Sequence, residues 1–307
     1  MTQGKIRSVG ILSPGDMGSG VGRVLHATGL DVLAALEGRS QLTRDRAMEA
    51  GFRDAGGVDG LVSQADIVLS ILVPSEAGAV AEQVADAMER TGAKPVFVEC
   101  NAIAPQTVRS IEQTIAAAGA TFVDAGIIGG PPRAPGGNTR FYCSGRDTSA
   151  FEALNEHGLD VRVVGPEIGQ ASGLKMVYAA STKGTTALWT ELLTAARALG
   201  LEGALLAEFG EGHSLARQQM NGIPSMPRRA RRWVGEMEEI AATFSALGLT
   251  PNILTGAADM YRFVADTPLA EQTSRDPDPT LDEVLGTLAA RLNGHHGDVP
   301  NREPLSF

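Results

Sequence analysis

Short apolar runs alternate with helical hydrophobic patterns through the first half of the chain. Residues 65–73 form one continuous apolar run, as is typical of a parallel strand that is covered on both faces. Segments such as 17–29 and 74–92 instead repeat apolar positions at helical spacing. The predicted strands, in chain order, are SVGIL, DVLAAL, ADIVLSILV, PVFVEC, TFVDAGII, TRFYCSG and DVRVVG. This alternation predicts βαβ units and therefore an α/β fold with a doubly wound parallel sheet.

The strand patterns stop after about residue 166. Residues 169–200 then form one long helical pattern, and residues 225–248 and 255–271 predict further helices. The chain closes with another amphipathic helix and a polar, proline-containing tail. We therefore predict two domains, an α/β domain over residues 1–166 and an all-helical domain over residues 167–307.

Composition and charge argue against several classes of protein. The 307 residues carry a net charge of −10, which argues against a nucleic-acid partner, because phosphate neutralisation needs a basic surface. The two cysteines, Cys100 and Cys143, are too few for a disulfide framework. The chain starts without an apolar signal region, and no apolar run reaches the roughly 20 residues that span a bilayer. We therefore expect a cytoplasmic protein that has no membrane partner.

A glycine-rich turn follows the first predicted strand. Gly15 would let the backbone approach a pyrophosphate, and Gly18 would let the helix pack closely on the strand. The N–H groups of the helix N-terminus would attract the phosphates. Ser13 replaces the first glycine of the usual pattern, and a glycine turn without a ligand is the alternative. The predicted cofactor-binding residues of this turn are Ser13, Pro14, Gly15, Asp16, Met17 and Gly18.

The end of the second predicted strand indicates which dinucleotide is bound. NAD enzymes usually have an acidic residue here for the ribose hydroxyl, and NADP enzymes have an arginine for the phosphate. This chain has Glu37, but also Arg39 and Ser40, which together suit a phosphate. Arg44 and Arg46 follow and are alternatively solvated charges on a helix face. We predict NADP as the cofactor, with NAD possible.

Four motifs resemble the β-hydroxyacid dehydrogenases and 6-phosphogluconate dehydrogenases. VGILSPGDMG resembles their glycine loop, and VECNAIAPQT resembles the segment that passes the nicotinamide. FVDAGIIGGPP is similar to their substrate-binding segment, and GQASGLKMVYA to their catalytic helix. The motifs occur in the family's order between residue 6 and about residue 200. The resemblance implies an N-terminal Rossmann domain, and the rest of the chain looks like a branch with its own helical C-terminal domain.

The resemblance also implies roles for residues in these motifs. Lys175 is the expected general acid or base, and Asn101 is expected near the nicotinamide. The remaining implied contacts are Leu72 and Val73 for the cofactor, and Ile128, Gly129, Gly130 and Thr182 for the substrate.

Two residues depart from the family pattern. Ile128 occupies the place of a serine, and Ala179 occupies the place of an asparagine four residues after the lysine. A buried carboxylate without partners is costly, so a simple small 3-hydroxy acid fits less well than the resemblance suggests. On an ideal helix Lys175, Tyr178 and Thr182 share one stripe. Tyr178 therefore either replaces the missing asparagine, as a second catalytic residue, or packs in the core.

Three other features have less specific interpretations. Lys183 lies roughly 80° around the same helix from Lys175 and either borders the pocket or is solvated. Residues 227–233, PRRARRW, are predicted to form a solvated helix face, with binding of an acidic group as the alternative. His295 and His296 have no ligand spacing around them, so we expect no metal site.

The expected function is an NAD(P)-dependent oxidoreductase. It would transfer a hydride between NADP(H) and a hydroxy-acid-like alcohol or its carbonyl, with the lysine as general acid or base. An imine reductase of the same architecture and a catalytically silent NADP-binding protein are the alternatives. The expected partners are a small-molecule substrate and a second copy of the chain, bound through the helical domain as in the family's dimers.

Overall fold

The computed structural model describes residues 5–210, 214–273 and 276–294. By contacts between residues, the chain divides into two compact units, Met1–Tyr178 and Ala179–Phe307. The division falls inside the long helical stretch, whereas the predicted boundary after residue 166 lies just beyond the last strand. Within the described ranges, none of the helices combines the length and apolar character needed to cross a bilayer.

The first unit is built on an eight-stranded sheet, counted over the described residues. Its strands are β1 (Ser8–Ile11), β2 (Asp31–Ala34), β3 (Arg53–Asp54), β4 (Ile67–Ser70), β5 (Val96–Glu99), β6 (Phe122–Ile128), β7 (Arg140–Ser144) and β8 (Asp160–Gly165). The spatial order is β3-β2-β1-β4-β5-β6-β7-β8, and the order reverses between β1 and β4. The predicted Rossmann-type α/β fold is confirmed.

Two strands depart from the predicted parallel sheet, because β7 runs antiparallel to β6 and β8 runs parallel to β7. Residues 129–139 join the two strands without a helix and are rich in glycine and proline. A parallel return needs a crossover connection, usually a helix, whereas an antiparallel return needs only a loop. The expectation of an entirely parallel sheet is therefore wrong for β7 and β8, whereas the first six strands are parallel.

Helices cover both faces of the sheet. They are α1 (Asp16–Ala27), α2 (Gln41–Glu49), α3 (Val58–Gln64), α4 (Ala77–Thr91), α5 (Pro105–Ala117) and α6 (Ser149–Glu152). Along β4, Leu69 packs in one hydrophobic cluster and its neighbour Val68 packs in the other. Alternate side chains of this strand are therefore buried on opposite faces, which explains the continuous apolar run.

The rest of the described chain is helical, as predicted. It comprises α7 (Gln170–Ala179), α8 (Thr185–Ala198), α9 (Glu202–Phe209), α10 (Ser214–Gly222), α11 (Ala230–Ala246), α12 (Asn252–Ala265) and α13 (Leu281–Gly294). A π-helical turn, Ala180–Gly184, separates α7 from α8. Because a π-turn closes its hydrogen bonds over five residues, the ideal α-helical spacing that placed Thr182 on one stripe with Lys175 does not hold through this turn.

Candidate functional site

The glycine loop lies between β1 and α1, as predicted. Gly15 caps α1 in an extended conformation, and a Cβ built on it meets no atom within 4 Å. A Cβ on Gly18 would overlap the carbonyl oxygen of Ser13. Gly18 is therefore required by the turn itself, whereas Gly15 leaves open space in front of the helix N-terminus, where an anion is favoured.

The other residues of this loop anchor it. The carbonyl oxygen of Pro14 accepts a 2.8 Å hydrogen bond from Ser19 Oγ. The half-buried Met17 packs against the hydrophobic cluster under α1. The exposed Asp16 lies 3.6 Å from Arg46, so that arginine has an acidic partner. This ion pair partly offsets the negative charge that Asp16 brings to the loop.

Two further glycines on α1 were not anticipated from the sequence. A Cβ on Gly20 would lie 2.9 Å from the carbonyl oxygen of Pro132, and a Cβ on Gly22 would overlap the ring of Phe52. The loop after β6 therefore packs directly on the helix that follows the glycine loop. The every-second-residue spacing of Gly18, Gly20 and Gly22 was the available signal.

Arg39 points back toward the glycine loop. Its Nη2 donates a 3.3 Å hydrogen bond to the carbonyl oxygen of Leu12, at the end of the first strand. Ser40 is the N-cap of α2, and its Oγ accepts a 3.3 Å hydrogen bond from the backbone N–H of Thr43. Arg39, Ser40 and the start of α2 thus form one positive corner beside the loop.

The side chain of Glu37 lies beside Gly57. Its Oε2 lies 2.8 Å from where a Cβ of Gly57 would be. It lines a cavity of about 500 Å³ together with Gly57, Val58, Asp59, Gly60, Gln83, Asp86 and Arg90. Arg44 has an acidic neighbour at 3.9 Å, Asp54. In this segment Arg39 therefore contacts the backbone at the end of β1, and Arg46 contacts the glycine loop through the side chain of Asp16.

Asn101 links the ends of β4 and β5. Its Oδ1 accepts a 2.6 Å hydrogen bond from the backbone N–H of Leu72, and its Nδ2 donates to Ser70 Oγ at 3.0 Å. Its own backbone N–H donates to Glu99 Oε1 at 2.8 Å. Leu72 is half-buried and Val73 is exposed. The structure thus brings two predicted cofactor residues, Asn101 and Leu72, into direct contact.

Two buried acids beside these residues were missed from the sequence. Glu99 is fully buried, and burial raises its pKa to about 8 against the hydrogen bonds of Asn101 and Ser70. Asp124, directly opposite on β6, is also buried, and burial raises its pKa. An acidic residue inside an otherwise apolar strand was the available signal.

Asp124 caps the start of α7. Its Oδ2 accepts hydrogen bonds from the backbone N–H groups of Gly169 (2.9 Å), Ala171 (3.1 Å) and Ser172 (3.1 Å). It also accepts from the hydroxyls of Ser144 (3.0 Å) and Ser172 (3.3 Å). Five donors thus converge on one carboxylate oxygen, which fixes where the helix begins.

Lys175 lies one to two turns further along this helix. Its Nζ donates a 2.6 Å hydrogen bond to the carbonyl oxygen of Ile127, near the end of β6. Gly126 allows this approach, because a Cβ there would lie 2.9 Å from both the Lys175 Cβ and the Ala171 carbonyl oxygen. The predicted lysine and the predicted substrate segment are therefore in contact.

The substrate segment itself combines a buried isoleucine with two exposed glycines. Ile128 is 4% exposed, and Gly129 has a φ of +127°, a conformation that favours glycine. The carbonyl oxygen of Gly130 accepts a 2.6 Å hydrogen bond from Thr139 Oγ1, and a Cβ on Gly130 would meet no atom within 4 Å. Open space therefore remains beside Gly130.

Tyr178 and Thr182 complete the predicted set. Tyr178 is 42% exposed, so the interpretation that it packs in the core is wrong. Thr182 belongs to the second unit, and its Oγ1 donates a 3.3 Å hydrogen bond to the carbonyl oxygen of Ala179 within the π-helical turn.

The structure contradicts the solvated interpretations of Lys183 and of the arginine-rich segment. Lys183 is not solvated, because its amine forms a largely buried ion pair with Glu236 and lies 5.5 Å from the ring centre of Trp233. Arg228 pairs with Asp278 at 2.6 Å. Arg229 is half-buried over Trp233, and burial lowers its pKa. Residues 227–233 are therefore not a uniformly solvated face.

Metal ligands are not grouped in the described part of the chain. Over residues 5–210, 214–273 and 276–294, no three His, Cys, Asp or Glu side chains come together as a metal site would require. His295 and His296 lie outside the described residues.

Comparison with known proteins identifies both parts of the chain. A family described as the NAD binding domain of 6-phosphogluconate dehydrogenase matches residues 8–185. A domain of unknown function, DUF1932, matches residues 196–264. The mitochondrial 3-hydroxyisobutyrate dehydrogenase of Drosophila melanogaster is 26% identical over 240 residues, covering 73% of this chain and 70% of that protein.

Solved structures agree with this assignment. The conserved protein MTH1747, of unknown function and described as structurally similar to 3-hydroxyacid dehydrogenases, is 30% identical with a TM-score of 0.63. The match covers 84% of this chain and 97% of that one. An imine reductase of Streptomyces aurantiacus shares the fold at 18% identity and a TM-score of 0.55, over 91% of this chain and 99% of that one. The resemblance seen in the sequence is therefore confirmed. The chain belongs to the family of the NAD binding domain of 6-phosphogluconate dehydrogenase and is an NAD(P)-dependent oxidoreductase of that family.

Proposed function

We propose that this protein is an NADP-dependent dehydrogenase or reductase in which Lys175 is the general acid or base. The observation that carries the proposal is the contact between the Lys175 amine and the end of β6, the strand that leads into the substrate segment with the open space beside Gly130. In α/β sheets of this kind, ligands bind beyond the carboxyl ends of the strands, where the strand order reverses.

The residues around the glycine loop suit a phosphorylated dinucleotide. Open space in front of Gly15 and the N-terminus of α1 would hold the pyrophosphate. Arg39 and Ser40 would hold the phosphate of the adenosine ribose, while Glu37 is turned toward Gly57. The other expected contacts are Ser13, Pro14, Asp16, Met17, Gly18, Leu72, Val73 and Asn101. When bound, the cofactor supplies or accepts the hydride.

Lys175 would manage the proton that accompanies the hydride. In reduction its ammonium group gives a proton to the oxygen of the substrate carbonyl as that oxygen gains negative charge. In oxidation the neutral amine takes the proton from the hydroxyl group. The hydrogen bond to the Ile127 carbonyl holds the amine at the end of the strand in either direction.

The substrate is expected to be a small hydroxy-acid-like alcohol or its carbonyl. The relationship to 3-hydroxyisobutyrate dehydrogenase supports this class, and the backbone N–H groups of Gly129 and Gly130 can bind an anionic group. The buried Ile128 and Ala179 leave no side-chain hydrogen bonds where the family has serine and asparagine. That apolar character favours an imine as the second candidate, with Tyr178 and Thr182 as further polar groups.

We also propose that the protein is a cytoplasmic homodimer formed through its helical part. Its second unit exposes large apolar side chains, among them Leu188, Leu199 and Ile253, and a second copy of the chain would cover them. Both cysteines are free and buried, which suits a reducing compartment. Sedimentation at micromolar concentration tests the dimer, and a strict monomer contradicts it.

The experiment pairs cofactor binding with turnover. The purified protein is titrated with NADP and NAD, and NADPH consumption is then followed with hydroxy acids, their ketones and cyclic imines. Lys175→Met keeps the length of the side chain but removes its proton, so the rate should fall by about 10²–10⁴-fold with nearly unchanged NADP affinity. Full activity of this variant on the best substrate would refute the role of Lys175, and binding without any turnover would favour the silent NADP-binding alternative.

A further inference from the structure

Four buried polar side chains form a row across the sheet. Ser70 on β4, Glu99 on β5, Asp124 on β6 and Ser144 on β7 are directly opposite one another in register. All four are fully buried. Opposite residues on neighbouring strands project to the same face of a sheet, with about 5 Å between strands. We call these four residues the polar row.

The two ends of the polar row support different parts of the site. At one end, Ser70 and Glu99 hold Asn101, which in turn holds the backbone of Leu72. At the other end, Ser144 and Asp124 hold the start of α7, the helix that carries Lys175. Glu99 therefore lies between Ser70, which also contacts Asn101, and Asp124, which contacts the start of α7.

The hydrogen bonds distinguish the two acids. Asp124 Oδ2 accepts five hydrogen bonds, the environment of an ionised carboxylate. Glu99 holds Asn101 through Oε1 alone. The second oxygen of each acid, Glu99 Oε2 and Asp124 Oδ1, is buried without a partner among the described residues, so the difference lies in the five donors on Asp124 Oδ2. Two adjacent buried carboxyl groups do not both ionise readily, so the charge belongs on Asp124 and the proton on Glu99.

We propose that Glu99 is a positioning residue that, as a neutral carboxylic acid, fixes Asn101 and thereby the cofactor-binding segment that follows β4. This inference rests on the proposed function, because it takes Leu72 and Asn101 as cofactor contacts. Glu99 itself lies within the sheet and acts through its neighbour.

The electrostatics around Glu99 agree with this role. Burial is the main cause that raises the pKa of Glu99 to about 8, and the charge of Asp124 adds to it. The other titratable groups nearby are Cys100 on the same strand and Cys143 on β7, and burial raises the pKa of both thiols. They therefore stay uncharged over the range in which Glu99 titrates.

Ionisation of Glu99 puts a second negative charge into the polar row. The new charge repels Asp124 and draws the hydrogen-bond donors of Ser70 and Asn101 toward itself. The hydrogen bond from Asn101 favours the charged form of Glu99, so ionisation pulls Asn101 toward Glu99 and away from the Leu72 N–H. We therefore expect cofactor affinity to fall. Above the pKa of a single required proton, the limiting fall is about tenfold per pH unit.

The test compares wild type with Glu99→Gln, Glu99→Ala and Asn101→Ala. The dissociation constant of NADPH is measured for each protein by calorimetry, from about pH 6 to about pH 9.5, a range that brackets the titration. Glu99→Gln keeps an acceptor for the Asn101 N–H and cannot ionise, so it should bind about as tightly as wild type at neutral pH and lose the alkaline decline. Asn101→Ala should bind weakly with no alkaline decline of its own, and Glu99→Ala should also bind weakly throughout.

A second readout does not need the cofactor. Amide hydrogen exchange at Leu72, whose N–H is held by Asn101, should be faster in wild type than in Glu99→Gln above about pH 8 and equal in the two below about pH 7. An alkaline decline that persists in Glu99→Gln, together with equal exchange in the two proteins, would overturn the proposal. Failure to bind any dinucleotide would instead overturn the proposed function, and the exchange data would still decide the role of Glu99.

Discussion

Replacement of Asp124 by alanine should be among the most damaging single changes in the first unit. Asp124 Oδ2 accepts hydrogen bonds from three backbone N–H groups at the start of α7 and from two serine hydroxyls. A buried donor left without a partner costs about 1–3 kcal/mol. The hydroxyls can rotate to other acceptors, and the Ala171 N–H also donates to Ser144 Oγ at 3.1 Å. The N–H groups of Gly169 and Ser172 lose their acceptor, so the expected loss of unfolding free energy is about 4 kcal/mol.

Asp124→Asn removes the negative charge of the side chain but keeps its size and one acceptor oxygen. The amide oxygen still accepts from the helix, but the charge-assisted component is lost, so we expect a smaller loss of about 1–3 kcal/mol. Because the same helix carries Lys175, the maximal rate should fall in this variant more than NADP affinity does. Urea denaturation followed by circular dichroism measures the first quantity, and steady-state kinetics measures the second.

Asp66 provides the matched control. Its Oδ2 accepts from the backbone N–H groups of Arg7 (2.8 Å) and Ser8 (2.9 Å) and from the Ser8 hydroxyl (3.0 Å), but the site is exposed. Water can replace these hydrogen bonds, so Asp66→Ala should cost only about 1 kcal/mol. If Asp124→Ala loses no more stability than Asp66→Ala, the argument from burial is refuted.

Three further predictions concern cofactor choice, the glycine loop and pH. Arg39→Ala should weaken NADP binding by about 1–3 kcal/mol and barely change NAD binding; tighter NAD than NADP binding in the unmodified protein, measured by calorimetry, would contradict it. Gly18→Ala should destabilise the fold because its Cβ overlaps the Ser13 carbonyl, whereas Gly15→Ala should melt normally and bind NADP more weakly; equal melting temperatures would count against the assigned roles. Because the pKa of Glu99 is raised from 4.5 to about 8, the native state holds a proton that the unfolded chain releases, so stability falls with rising pH between these values. Relative to Glu99→Gln, wild type should lose about 1.4 kcal/mol per pH unit from about pH 5 to about pH 8, and parallel stability curves of the two proteins would refute this.

Local pattern predicted most of the first unit, because seven of the eight described strands lie in the predicted runs and each glycine of the loop has a backbone reason. The strand that was missed, β3, is the exposed pair Arg53–Asp54, which carries no apolar signal. An apolar pattern does not determine strand direction, so the reversed direction of β7 and β8 was missed. The partner of Lys183 was also inaccessible to periodicity, since Glu236 lies on another helix far along the chain. The expected role of Lys175 was inferred from the family resemblance. Its contact with the Ile127 carbonyl could not be predicted from the sequence, because it depends on the close packing of α7 on β6 that Gly126 permits.

The buried acids illustrate a different difficulty. Glu99 and Asp124 are visible in the sequence as isolated carboxyl groups within VFVEC and FVDAGII. Their alignment on neighbouring strands depends on register, which the sequence left unspecified. Once the strands pair, the two side chains fall opposite each other, and their hydrogen bonds define what each one holds.

The contact between α1 and the loop after β6 joins two segments that are synthesised at different times during translation. The glycine loop and Phe52, which packs at Gly22, leave the ribosome early, whereas Pro132, which packs at Gly20, emerges much later. Until then the side of α1 that carries Gly20 lacks its native contact. The glycine loop is thus synthesised early, whereas the helix that follows it acquires its contact at Gly20 only after Pro132 has been synthesised.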